Sequence, residues 1–261
     1  MKMQLLIDAG NTRIKWAVPQ TAKDPASEIA SMPVWQHMNS VSHADIATLK
    51  QAWQGIPFTD VLVSNVAGEA IRAQLIALLL AVNADAIVTW FHSEARLAGI
   101  QNHYRNPAQL GCDRLASVIG AHYLFPGQDL IVATCGTATT VDAVTAQGDF
   151  VGGMILPGLK LMAESLARNT AQLPQVAEST SIAQVFADNT DQAIVSGCIN
   201  AQAGAILRAV TGLEQRQKQA VNCILSGGAA PYLLAHLGIP YQYVDNLVLT
   251  GLFVVAQSSP S

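Results

Sequence analysis

Two short polar turns carry the side chains best suited to phosphate chemistry. The first is Asp8-Ala9-Gly10-Asn11-Thr12-Arg13-Ile14-Lys15, and the second is Gly136-Thr137, preceded by Thr134-Cys135. A glycine turn lets the backbone come close to a polyphosphate and aim several N–H groups at it, while nearby Thr or Asn side chains add hydrogen bonds. Asp8, just before the first turn, is placed to hold a magnesium ion or its waters, and Lys15 to neutralise phosphate charge. Neither turn has the G-x-x-x-x-G-K-[ST] or the G-x-G-x-x-G pattern, which disfavours P-loop and Rossmann sites. A single Gly-Asn turn usually does no more than reverse the chain, so the weight rests on there being two.

The elements around the turns repeat as well. Leu5–Asp8, the Gly10-Asn11 turn and Ile14–Val18 read as a hairpin, and Leu130–Thr134, Gly136 and Thr139–Val144 follow the same plan. Gly10 and Gly136 stand 126 positions apart, nearly half of the 261 residues, which points to two similar α/β lobes over 1–120 and 121–261. Further strands are expected over 59–66, 86–90 and 221–225, with a strand and loop around 152–158. Helices are expected over 69–82, 107–125, 159–167 and 190–211, and from the Ser226-Gly227-Gly228 turn to about His236. Pro107 suits the first turn of a helix, where its missing N–H has no intrahelical partner. Residues 258–261 read as a frayed tail.

Composition narrows the function classes. Hydrophobic residues make up 51% of the chain and charged residues 12%, about half the usual charged share, so part of the surface is expected to be covered by a partner subunit. Its longest apolar stretch, Leu75–Val82, is too short to cross a bilayer, and no membrane partner is expected. The apolar run after Met1 stops at Asp8, too early for a secretory signal, so the expected location is cytoplasmic. Cys112, Cys135, Cys198 and Cys223 form no paired ligand spacing, which fits reduced thiols. A net charge of −4 with scattered basic residues gives no footprint for nucleic acid. Six histidines show no ligand spacing.

Taken in order, Asp8-Ala9-Gly10-Asn11-Thr12 with Lys15, Tyr104-Arg105-Asn106-Pro107, Gly111-Cys112-Asp113-Arg114, Gly136-Thr137-Ala138-Thr139-Thr140-Val141-Asp142, Gly152–Gly158 and Asn189-Thr190 resemble the motif set of type III pantothenate kinases. The resemblance runs from residue 5 to about residue 230. It implies two ribonuclease-H-like lobes of the actin-like ATPase kind, related by duplication. It also implies ATP-dependent phosphorylation of pantothenate to 4'-phosphopantothenate, the first step toward coenzyme A, by a homodimer. In that reading Asp8, Ala9, Gly10, Asn11, Thr12, Arg13, Ile14 and Lys15 line the ATP phosphates with Thr137, and Asp8 lies near magnesium. Tyr104, Gly111, Cys112, Asp113, Arg114 and Thr190 contact pantothenate, and Asp113 accepts the hydroxyl proton. Ser226-Gly227-Gly228-Ala229 resembles the adenosine-side loop.

One position departs from that pattern. Many members carry an aspartate tied to a potassium or ammonium ion where this chain has Thr134, and a hydroxyl offers only a neutral oxygen, so that ion site is expected to be weakened, rebuilt or absent. Ordinary readings exist for the same residues. An acid such as Asp113 in a first helical turn is favoured by the helix dipole alone, and Thr190 in an Asn-Thr-Asp run suits a helix cap. Two other functions share the fold: a kinase of the same superfamily with a different small acceptor, and a regulatory accessory protein.

Overall fold

The computed structural model describes residues 3–20, 31–169 and 184–258, so the end of the expected frayed tail lies outside the described residues. The chain forms two compact units, one of residues 1–127, 147–149 and 246–261, the other of residues 128–146 and 150–245.

The first unit begins with β1 (Met3–Ala9), β2 (Arg13–Pro19), β3 (Trp35–Ser42), the short helix α1 (Leu49–Trp53), β4 (Phe58–Asn65), α2 (Glu69–Val82) and β5 (Ile87–Trp90). Its sheet has the order β3-β2-β1-β4-β5, with β1 antiparallel to β2 and parallel to β4. Leu5, Leu6 and Ile7 are all fully buried, as a central strand covered on both faces requires. Trp16 and Trp53 meet edge to face at 6.2 Å in the core below, beside Phe58, Leu75 and Leu79. Strand β3 was not expected: its sequence, WQHMNSVS, alternates weakly, and it is held by backbone pairing along β2 from Arg13 opposite Ser42 to Val18 opposite His37.

A small antiparallel hairpin, β6 (Arg96–Leu97) and β7 (Ile100–Asn102), leads to a 3₁₀ turn at Pro107–Gln109 and then to α3 (Cys112–Leu124). The helix expected over 107–125 is therefore two pieces. Asn106 Oδ1 accepts from Ala108 N–H at 3.2 Å and closes a turn, and Leu110 and Gly111 are then extended, with ψ of 126° and 132°. Helix α3 starts only beyond them.

The second unit repeats the plan with β8 (Leu130–Cys135), β9 (Ala138–Val144), β10 (Asp149–Pro157), α4 (Leu159–Asn169), α5 (Thr190–Gln217), β11 (Asn222–Ser226) and β12 (Gln242–Tyr243). Its strands run in the order β10-β9-β8-β11-β12, and β8 is antiparallel to β9 and parallel to β11. Order and direction match the first sheet strand for strand, so the duplication read from two glycine turns is a duplication of whole sheets. Helix α5 runs past the expected Thr211 to Gln217 and stops at Lys218, whose φ of 59° is left-handed. It is long and apolar enough to cross a membrane by length and composition, yet Ile199, Ala203, Ile206, Val210 and Leu213 lie in this unit's core. The expected helix from residue 226 to 236 is instead two 3₁₀ turns, Ala230–Tyr232 and Leu234–His236; Pro231 supplies no backbone N–H to a longer helix.

The chain's last helix, α6 (Leu247–Ser258), belongs to the first unit, where it packs along α3. Residues 246–258, expected in the C-terminal lobe, thus complete the N-terminal one.

Candidate active site

In the first unit the parallel pairing of β1 and β4 sets Asp8 opposite Ser64 at the strand ends. Helix α3 is anchored to the same edge. Cys112 Sγ lies 3.3 Å from Ser64 Oγ and 3.7 Å from the Asn65 carbonyl, so its first turn stands over the end of β1. Asp113, 105 positions along the chain from Asp8, is thereby close enough to act on its charge. Burial, then the Asp113 carboxylate, push the Asp8 carboxyl from an ordinary 3.8 up to about 7, against a smaller opposing pull from Lys15. Lys15 faces Asp8 across the β1–β2 ladder.

Asp113 is itself raised, first by burial, with the Arg114 N–H (2.8 Å from Oδ1) and the Arg114 charge opposing. Gly111 makes room for it: a Cβ there would stand 2.7 Å from Asp113 Oδ1. Arg114 is 6% exposed and donates to the Tyr104 hydroxyl at 2.9 Å, with its guanidinium 5.8 Å from the ring centre. Tyr104 is set in turn by Asn102, whose Oδ1 accepts from Tyr104 N–H at 3.0 Å and whose amide donates to the carbonyls of Pro107 and Glu94. Asp8, Lys15, Asp113, Arg114 and Tyr104 therefore form one constellation, with Gly111 and Cys112 at its base.

The rest of the first turn is less uniform. Asn11 and Thr12 are exposed at the tip, while Ala9 and Ile14 bury their side chains and leave only backbone to a ligand. Arg13 turns aside, its Nε donating to Ser40 Oγ at 2.8 Å and its Nη2 to the Ser40 carbonyl at 3.0 Å. His43 Nε2 lies 2.9 Å from the Gly10 carbonyl and steadies the loop. Lys15 Nζ donates to Asn246 Oδ1 at 2.9 Å. Asn246 was not anticipated; in sequence it reads only as a polar residue ahead of an apolar helix.

In the second unit, the turn closes through Gly136 N–H to the Ala138 carbonyl at 2.9 Å, and Thr137 is exposed. Ala229 N–H, in the Ser226–Ala229 loop, donates to the Cys135 carbonyl at 3.0 Å beside this turn. Thr190 is the first residue of α5, but the cap is Asn189, whose Oδ1 accepts from Gln192 N–H at 3.0 Å. The capping expected of Thr190 falls one residue earlier, because Asn189 holds the extended position ahead of the helix from which its side-chain oxygen reaches the free N–H, while Thr190 is already helical. Thr134 Oγ1 is buried and has no hydrogen-bond partner.

Among the described residues no group of three or more His, Cys, Asp or Glu gathers into a metal cage. Magnesium needs none when substrate phosphates complete its shell, and one or two carboxylates are its usual protein ligands. Asp8 fits: a half-buried acid pushed to about 7 gains a counter-charge when a cation arrives. Thr134 does not fit a potassium or ammonium site of the charged kind, since its one buried oxygen is neutral.

Paired sheets of this order are the two-lobed fold of solved sugar-kinase structures. A solved glucokinase from an Antarctic psychrotroph matches with a TM-score of 0.55 at 14% identity, covering 99% of this chain and 100% of that one. The structure of a Baf family transcriptional activator from Campylobacter jejuni matches with a TM-score of 0.57 at 18% identity, covering 97% of each chain. At these identities the likeness is one of fold. Sequence goes further. A family model described as type III pantothenate kinase matches residues 4–212. A type III pantothenate kinase of Herminiimonas arsenicoxydans is 54% identical over 255 residues, covering 97% of both chains. The chain belongs to the type III pantothenate kinase family.

Proposed function

We infer that the chain transfers the γ-phosphoryl group of ATP to the terminal hydroxyl of pantothenate, yielding ADP and 4'-phosphopantothenate. The observation that carries this reading, beyond family membership, is the meeting of Asp8 and Asp113 at one strand end with the pKa of each raised, chiefly by burial. A carboxylate made more basic is a better proton acceptor near neutral pH. Asp113 takes the hydroxyl proton as the acceptor oxygen bonds to phosphorus and the bond from phosphorus to the ADP oxygen breaks. Arg114, held by Tyr104, presents positive charge beside it, suited to the pantothenate carboxylate.

Magnesium, when bound with ATP, would be held on the protein side by Asp8 and would neutralise phosphate charge. Lys15, steadied by Asn246, adds a second positive charge, and the Gly10–Thr12 backbone offers N–H groups. In the second unit, Gly136 and Thr137 offer a turn of the same plan, one residue shorter. Thr190 at the start of α5 is assigned to the acceptor, as the family motif implies. No step depends on a monovalent cation, because Thr134 cannot supply the charged ligand.

The working form is a homodimer in the cytoplasm. Supporting this are the 12% charged composition, four free cysteines and the exposed apolar side chains Ile155, Leu161 and Leu207 on the second unit. The test of function is ADP release from ATP and magnesium with and without pantothenate. Release that depends on pantothenate is expected; none with pantothenate, but release with another small alcohol, would move the assignment to a different acceptor.

A further inference from the structure

The core of the second unit buries an amide where its neighbours are hydrocarbon. Gln202 lies on α5 among Ile199, Ala203 and Ile206, and it is fully excluded from solvent. Its Oε1 accepts from Thr139 Oγ1 at 2.8 Å, and its Nε2 donates to the Pro157 carbonyl at 2.9 Å. Thr139 is also fully buried, two residues after Thr137. Pro157 ends β10 and precedes Gly158, whose N–H donates to the Thr137 carbonyl at 2.9 Å. A Cβ on Gly158 would stand 2.2 Å from the Gly136 carbonyl oxygen and 2.6 Å from that of Thr137, so these two backbones touch. One side chain therefore grips both segments that shape the Gly136–Thr137 turn: the strand leaving it and the strand end pressed against it.

Burying an amide gives little net stability even when both its ends are satisfied, and an apolar side chain of similar size would serve packing as well. What the amide adds is direction. We propose that Gln202 is a positioning residue that holds the Gly136–Thr137 turn in the shape that receives an ATP phosphate. The proposal rests on reading that turn as a phosphate site. Gln202 acts through Thr139 and Pro157 and does not itself reach the turn's outer face.

The test compares Gln202→Met, Thr139→Val, Thr139→Ser and the double variant Gln202→Met with Thr139→Val. In Gln202→Met the KM for ATP is expected to rise about tenfold while the KM for pantothenate stays within about twofold. Thr139→Val should match it, Thr139→Ser should stay near wild type because it keeps the hydroxyl, and the double variant should be no worse than either single one. The control is Ile206→Val in the same core, which lowers Tm without separating the two KM values. If Gln202→Met does not fold, the smaller Thr139→Val change carries the test. Equal ATP constants in wild type and Thr139→Val, or a parallel rise of both KM values, would overturn the proposal. Calorimetric ATP affinity without pantothenate separates it from the functional reading. A wild type that binds ATP yet phosphorylates no pantothenate removes the acceptor assignment and leaves the Gln202 comparison readable. A wild type that binds no ATP ends both.

Discussion

The two hairpins share a plan and differ in charge. In the first, Asp8 faces Lys15 across the strand pair; in the second, the matching Thr134, 126 positions on, faces Thr140. Their loops differ by one residue: pairing closes at Ala9–Ile14 in the first and at Cys135–Thr139 in the second. The first gathers further charge, because Cys112 docks α3 on β4 and brings Asp113 and Arg114 to the same edge. The second is braced by neutral groups, Gln202 and the backbone of Gly158. The two turns share one plan, and what packs beside each sets them apart: charged groups at the first and neutral ones at the second.

The largest effect should come from neutralising the group unique to the first hairpin's surroundings. Asp113→Asn is expected to lower turnover by about 10²–10⁴-fold with ATP affinity and fold retained, checked by steady-state rates and circular dichroism. Asp8→Asn should cost about 10²–10³-fold in magnesium-dependent turnover. It should also raise Tm above pH 7. With a folded value near 7 against 3.8 unfolded, the native state binds more protons than the unfolded state between those values. The Asp8 contribution to stability therefore falls as pH rises through that window, and the variant escapes the cost. Each kcal/mol relieved corresponds to roughly 2–4 °C in Tm.

Gly111→Ala sharpens the geometric part of the comparison. The added methyl would displace the flexible Asp113 carboxylate rather than the helix, and a shift of about 1 Å is expected to cost about 10²-fold in kcat with little change in Tm. Smallest is the effect of the monovalent cation. With a neutral oxygen at Thr134, turnover in sodium, potassium or ammonium should agree within about twofold; a strong potassium requirement would mean the second hairpin carries charge chemistry after all.

Much of this was legible in the sequence because the signals were local. Two Gly turns with flanking apolar strands marked both hairpins, and the run from Gly111 to Arg114 marked the acid, although the helix that carries it starts at Cys112 and not at Pro107. What escaped was set by distance or by backbone. Strand β3 alternates too weakly to be read from sequence and is held by its pairing along β2. Asn246 meets Lys15 across 231 positions, and Gln202 meets Thr139 across 63, with nothing in either neighbourhood to announce it. The resemblance implies a phosphate-lining role for Arg13 but not its bond to Ser40, which lies on that unforeseen strand. Helix α6 joined the first unit because its apolar length packs on α3, a pairing no periodicity encodes.

The central claim is that Asp8 and Asp113 share one half-buried electrostatic site, and carboxyl carbon NMR of the aspartate-labelled protein tests it directly. In the wild type one aspartate is expected to titrate near pH 7, and in Asp113→Asn that same resonance should move to lower pH as the repelling charge is lost. Aspartates that all titrate below about pH 5, with no change in the variant, would contradict the account.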